Sequence, residues 1–154
     1  MLRAERTEIL RHFAQWSWAE TARALIAIPE RWLKWALYDR KTPFRRGIGP
    51  VTLIGDASHP MLPFLAQGAA MAIEDAAILS RAVELDLPLQ ERLSVYERHR
   101  APRAARVVNE STEMAELYHI SDASQMKQAF KDRNIAASRN NWLYPYDPLN
   151  VPLA

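Results

Sequence analysis

The 154-residue sequence contains no cysteine. That excludes a disulfide framework and any thiolate metal site, and it fits a reducing, cytoplasmic setting. Glycine is scarce: Gly47, Gly49, Gly55 and Gly68 are the full set. The G-x-G-x-x-G turn that normally cradles a dinucleotide after a first strand is therefore absent. Gly47-Ile48-Gly49 runs straight into Pro50 and precedes a strand-like run, so it reads as a turn and not a phosphate cradle. Charge of one sign is also lacking. Twenty basic residues against 18 acidic ones leave a net charge of +2, too balanced to argue for nucleic acid or an acidic membrane surface. No run approaches the roughly 20 apolar residues of a membrane span. The charged start, Met1-Leu2-Arg3-Ala4-Glu5-Arg6, has no apolar stretch behind it, so no signal peptide is read. The histidines show no H-x3-H zinc spacing, and no G-x-S-x-G nucleophile elbow exists.

Apolar residues make up 49% of the chain, enough for one modest domain with a real core. The stretch over residues 51–76 organises it. Val51-Thr52-Leu53-Ile54, bounded by Gly55, reads as a short buried strand of a parallel sheet. Gly55-Asp56 then leaves a carboxylate just past the strand's carboxyl end, where ligands sit in open α/β sheets. A loop with Pro60 and Pro63 follows. Gln67-Gly68-Ala69-Ala70 opens a helix whose small residues let a ligand approach the free backbone N–H groups.

Gly55-Asp56-Ala57-Ser58-His59-Pro60, Pro63, Gln67-Gly68 and Glu74-Asp75-Ala76 resemble the second flavin-binding motif of single-component FAD-dependent aromatic hydroxylases, the salicylate hydroxylase-like branch in particular. Trp142-Leu143-Tyr144-Pro145-Tyr146-Asp147 resembles the closing motif of the same branch and speaks against a reductase or halogenase relative that shares only Gly-Asp. The resemblance implies the carboxyl-terminal part of a para-hydroxybenzoate hydroxylase-like FAD-binding α/β fold. Here that part would be mainly α with one or two short strands. It implies FAD as cofactor and NADH or NADPH as reductant. A flavin hydroperoxide would hydroxylate a small aromatic acid. The cofactor-binding set it implies is Gly55, Asp56, Pro63, Gly68, Ala69, Ala70 and Met71, with Asp56 on the ribityl chain and the helix start facing the pyrimidine end of the isoalloxazine. Pro63 also lies on the substrate side, and no residue must serve as acid or base. Many relatives carry Asn where this chain has Ala70, so only backbone contacts carry over there.

The match corresponds to roughly the carboxyl-terminal 40% of a family member, so the chain reads as a fragment, half of a split protein or a truncated frame. Three segments are expected within one compact unit: a substrate-domain remnant over 1–47, a flavin-contact segment over 48–86, and carboxyl-terminal helices and tail over 87–154. The chain by itself would then be inactive. Its partner would be the missing amino-terminal half or a neighbouring chain. The alternative is a non-catalytic helical fragment or module that cannot hold FAD alone and covers its exposed sheet edge and Trp-rich surface as a homo-oligomer.

Along the chain, Ile9, Leu10, Phe13 and Trp16 space a first helix over 4–15. Ser17 and Glu20 form a capping box for a second, ended by Pro29. A short strand is expected over 35–38 and a polar turn over 41–50. The motif helix runs to about Val83, with Ile73, Ala76, Ala77 and Ser80 on a face that packs on the sheet or flavin. Pro88 opens the next helix, with Leu89, Leu93 and Tyr96 inward, and Pro102 breaks or kinks it. A segment over 102–118 follows, then a last helix capped by Ser121 or Ser124 and running to about Ala136. His59 reads as a loop histidine fixed by hydrogen bonds. Glu74 and Asp75 point different ways and favour the positive end of the helix dipole. Arg98, Arg100, Arg103 and Arg106 read as a solvated run or a helix-end ion pair. Glu116 and His119 read as a solvated face and not half of a di-iron site. The five tryptophans read as core or interface anchors.

Overall fold

The computed structural model describes residues 2–14, 20–40, 47–134 and 141–153. Five helices and two short strands are found among them, so the chain is mainly α as expected: β1 (Leu2–Ala4), α1 (Arg6–Phe13), α2 (Glu20–Ala27), β2 (Trp32–Lys34), α3 (Gly68–Val83), α4 (Leu89–Tyr118) and α5 (Ala123–Asp132). The chain divides into two compact units, one of Met1–Leu37 with Glu116–Ile135, the other of Tyr38–Ala115 with Ala136–Ala154.

In the first unit β1 and β2 pair antiparallel, with Arg3 opposite Leu33. The expected strand over 35–38 is displaced: pairing stops at Lys34, and Trp35 stands 68% exposed. The expected first helix also starts two residues late, because Leu2, Arg3 and Ala4 are taken by the strand. Arg6 donates to the Ala27 carbonyl at 3.2 Å, and Lys34 pairs with Glu8 at 2.6 Å, which lowers the Glu8 carboxyl below its ordinary value. The capping box at Ser17, together with Trp16 and Trp18, lies outside the described residues. The last helix ends at Asp132, with Arg133 as its C-cap, short of the expected Ala136. Asp122, and not Ser121 or Ser124, caps α5: its Oδ1 accepts from the Gln125 N–H at 2.8 Å. Glu116 and His119 are both exposed, as expected of a helix face.

The second unit holds the organising stretch. The run over 51–54 does not become a strand. Its only ladder contact among the described residues is a single bridge between Ile48 and Val51, and Val51 and Ile54 are 60% and 46% exposed. A strand exists through its partner, and none of the described residues supplies one beside this run. Side chains of α4 hold the run instead. Tyr96 Oη donates to the Leu53 carbonyl at 3.1 Å, and Thr52 Oγ1 donates to Glu97 Oε1 at 2.8 Å. Gly47 donates its N–H to the same Glu97 oxygen at 2.7 Å. A Cβ on Gly47 would sit 1.9 Å from the Val51 carbonyl oxygen, so only glycine permits this turn.

Helix α3 is rich in alanine, the strongest helix former, and ends at Val83 as its sequence implies. The face it buries differs from the expected one. Met71, Asp75, Ile78 and Ala82 are inward, while Ile73 is 69% exposed and Ala76 and Ser80 face solvent. No sheet lies against that small-residue face among the described residues. Ile78 and Ala82 join Val95, Tyr96 and Leu153 in a core, flanked by Leu79, Leu85, Leu87 and Val151.

Helix α4 runs unbroken for 30 residues, about 45 Å. Of the break or kink expected at Pro102, the break does not occur. The proline lies on the exposed side, and buried contacts bracket it, Tyr96 and Arg100 before, Ala104, Val107 and Val108 after. Burying both flanks outweighs the roughly 3 kcal/mol that an interior proline costs a helix. Leu93 and Tyr96 face inward as expected, whereas Leu89 is 51% exposed.

Candidate functional site

The site is built from one turn, one loop and one helix start. Gly55, at φ +56°, opens a 3-10 turn over Gly55–Ala57. Ser58 and His59 return their N–H groups to the Gly55 carbonyl at 2.9 and 3.0 Å. Asp56 is the turn's exposed middle residue. No hydrogen bond occupies its carboxylate among the described residues. The Gly55 backbone lies close over α3: an added Cβ would be 3.5 Å from Ala72 Cβ.

The loop continues through Pro63–Leu65, a second 3-10 turn that Pro63 starts and left-handed Ala66 ends at φ +53°. Leu65 is buried beneath it, and Ser111 on α4 holds the Leu62 carbonyl. Gln67 is the N-cap of α3 but makes no side-chain cap bond. The first intrahelical-type bond is from the Met71 N–H to the Gln67 carbonyl at 2.9 Å. Gly68, Ala69 and Ala70 therefore present N–H groups with no helical acceptor, while the Met71 amide is engaged and its side chain is fully buried. A Cβ on Gly68 would meet nothing within 4 Å, so the helix start is open.

His59 and Asp75 carry the buried electrostatics. His59 is 1% exposed and Asp75 0%. An ionised carboxylate only accepts, so His59 Nε2 carries the proton it shares with Asp75 Oδ2 at 2.6 Å. The Gly55 N–H donates to the same oxygen at 2.8 Å, and Arg100 Nε donates to Oδ1 at 2.7 Å. Burial pushes the Asp75 carboxyl up, but these donors outweigh it and leave it below the ordinary carboxylate value. Arg100 shows the mirror case: burial opposes its charge, yet Asp75 and Glu74 hold its pKa above the ordinary one. Burial and the nearby Asp75 charge push the Tyr96 hydroxyl well up.

Glu74 extends the network. It accepts from Arg100 at 2.8 Å and, through both oxygens, from Arg103 at 2.7 Å each. Arg103 also donates to the Trp142 and Leu143 carbonyls and lies 3.9 Å over the Tyr146 ring, while Arg106 lies 3.8 Å over Trp142. Two expectations are corrected here. Glu74 and Asp75 do not serve the helix dipole; they sit beyond the first turn of α3, and both engage Arg100. Arg100 and Arg103 are not a solvated run, since Arg100 is 2% exposed. The fixed-histidine reading of His59 matches its geometry. The sequence signal for the network was the spacing of Arg100 and Arg103, which puts both on one face of a helix.

No group of three or more potential metal ligands is found among the described residues. What the site offers is a free, exposed carboxylate beside a helix start with open, uncapped amides. A carboxylate accepts from a hydroxyl-bearing chain, and the amides suit an electron-rich ring edge. Those donors and acceptors fit a flavin.

Residues 16–111 match the family model described as an FAD binding domain. The chain is 40% identical over 108 residues to the 3-hydroxybenzoate 6-hydroxylase of Polaromonas naphthalenivorans (strain CJ2), covering 68% of this chain and 26% of that protein. It is 39% identical to the salicylate hydroxylase of Pseudomonas putida, covering 98% of this chain and 35% of the relative. The chain thus spans about a quarter to a third of the curated relatives' length. Its fold resembles that of a Klebsiella pneumoniae HpxO variant complexed with FAD, with a TM-score of 0.67 at 23% identity, over 100% of this chain and 42% of that one. By the match over residues 16–111, the chain belongs to the FAD-binding domain family, as the resemblance of its Gly-Asp motif to FAD-dependent aromatic hydroxylases implies.

Proposed function

We propose that this chain is the carboxyl-terminal part of an FAD- and NAD(P)H-dependent monooxygenase that hydroxylates a small aromatic acid of the salicylate or hydroxybenzoate type. One observation carries the reading: the turn over Gly55–Ala57 leaves the Asp56 carboxylate free and exposed in a chain whose relatives are named as hydroxylases of such acids. Asp56 would accept from the ribityl hydroxyls, and the amides of Gly68, Ala69 and Ala70 would face the pyrimidine edge of the ring. The Pro63 turn would border both ring and substrate. When bound, reduced flavin supplies the activation of O2, with NAD(P)H as the electron source. This chain's residues bind, orient and exclude water; none is asked to act as acid or base.

The absence of G-x-G-x-x-G favours a second reading, in which the chain alone cannot hold the ADP half of FAD. Ile48, Ile73 and Val51 are exposed at 85%, 69% and 60%, and a helical module would cover such surface in a homo-oligomer. Calorimetric FAD titration separates the two. The chain is titrated alone and mixed with a separately expressed amino-terminal segment that carries G-x-G-x-x-G. Binding in the mixture that Asp56→Ala abolishes supports the monooxygenase reading. No binding in either sample leaves the helical module.

A further inference from the structure

Asp75 gathers donors from three places in the fold. The Gly55 N–H comes from the turn, His59 from the loop behind it, and Arg100 from α4. Both turn-side donors meet on Oδ2, and the α4 donor takes Oδ1. The residue is fully buried, so each bond lost would leave a charge without water to replace it. The chain entering Asp56 is thereby held on both sides: Gly55, in its left-handed conformation, by its amide, and His59 by its ring. Between them the turn closes on itself through the Gly55 carbonyl.

We infer that Asp75 is a positioning residue, which clamps the turn presenting Asp56 through Gly55 and His59 and ties that turn to α4 through Arg100. Only the purpose of the turn rests on the flavin reading; the clamp stands on its own geometry. Arg100 carries the tie further. Its other nitrogens donate to Glu74 Oε2 and to the Met71 carbonyl, and Glu74 in turn holds Arg103 above Tyr146. The tail motif over 142–147 is thus joined to the Asp56 turn by an unbroken series of charge-assisted bonds. The charged and titratable groups around Asp75 are His59 from the loop, Arg100 and Tyr96 from α4, and Glu74 beside it on α3.

The test is amide exchange and proton–nitrogen NMR on the full 154-residue chain. In Asp75→Asn the Gly55 amide should exchange about tenfold faster or more, as loss of a charge-assisted bond implies. The Ile78 and Ala82 amides of the same helix should keep their protection. Unchanged Gly55 exchange overturns the clamp. A second measurement needs no variant of Asp75. As pH falls, the wild-type Gly55 amide signal should move with Asp75 protonation, below the ordinary carboxylate range, and Asp56→Asn should leave that titration in place. A Gly55 amide that shows no such titration also overturns it. FAD fluorescence titration of the same samples, mixed with the amino-terminal segment, isolates the flavin reading. Flavin binding weakened about tenfold by both Asp75→Asn and Asp56→Asn supports both claims. A wild type that binds no flavin while Gly55 exchange still responds to Asp75→Asn overturns the flavin reading and supports the clamp.

Discussion

Glu74 and Arg103 meet fork to fork. Arg103 Nε donates to Oε2 and one terminal nitrogen to Oε1, each at 2.7 Å, across 29 residues of sequence. Two parallel bonds fix the guanidinium plane, and the same plane covers Tyr146 and reaches two tail carbonyls. Arg103→Ala should therefore destabilise the chain by about 3 kcal/mol, since it leaves Glu74 short of a partner and the tail unanchored. Arg103→Lys keeps the charge but not the fork and should fall between. Urea unfolding measures both; equal stability of Arg103→Lys and wild type would show that the fork geometry contributes nothing.

Acid stability should depend on Asp75. Its folded carboxyl lies below the ordinary value, so its contribution is fully present above the unfolded value of about 3.9. That contribution is lost as pH falls through the lower folded value. The urea midpoint of wild type should drop between neutral and strongly acidic pH more steeply than that of Asp75→Asn, which lacks the titrating group. Parallel pH profiles would exclude Asp75 as a source of the acid sensitivity.

Two isoleucines of α3 should behave oppositely. Ile78 is fully buried among Val95, Tyr96 and Leu153, whereas Ile73 is 69% exposed. Ile78→Ala should cost about 2–5 kcal/mol through lost transfer energy and a residual cavity. Ile73→Ala should stay within about 0.5 kcal/mol, the usual range for an exposed site. Thermal or urea denaturation of the pair would refute the burial assignment if Ile73→Ala proved the costlier change.

Pro102 should be replaceable with gain. It interrupts the backbone ladder of a continuous helix at an exposed position. Pro102→Ala restores an N–H facing the Arg98 carbonyl and should raise stability by about 1–3 kcal/mol. A lower melting temperature for Pro102→Ala would mean that the proline sets a helix shape on which the Arg100 and Arg103 contacts depend.

Gly47 should be intolerant. An added Cβ falls 1.9 Å from the Val51 carbonyl oxygen, so Gly47→Ala must displace the backbone that Glu97 holds. The loss should be about 2 kcal/mol or more, as for other overpacked sites. Urea unfolding decides it, and a neutral result would show that this turn shifts freely.

The loop and helix start that frame the candidate site were readable along the chain because they are local. Gly55 bounds the run over 51–54, a loop with Pro60 and Pro63 follows, and Gln67-Gly68 opens a helix that ends where expected. Each of these depends on residues within a turn or two of one another. The length of α4 was not readable, because a local rule at Pro102 is overridden by burial on both flanks. The strand expected over 51–54 failed for a related reason: β-branched residues state a preference for extended backbone, but pairing requires a partner that local sequence cannot name.

The sequence by itself determined the motif, the helical character and the family, since all three rest on residue identities at short spacings. The tertiary structure alone decided what Asp75, Arg100, Glu74 and Arg103 do. Arg100 lies 25 residues from Asp75, and no periodicity announces which charges will share a desolvated interior. Their pairing follows from the packing of α3 against α4, where a buried carboxylate and a buried guanidinium must find each other because water is no longer there to solvate either.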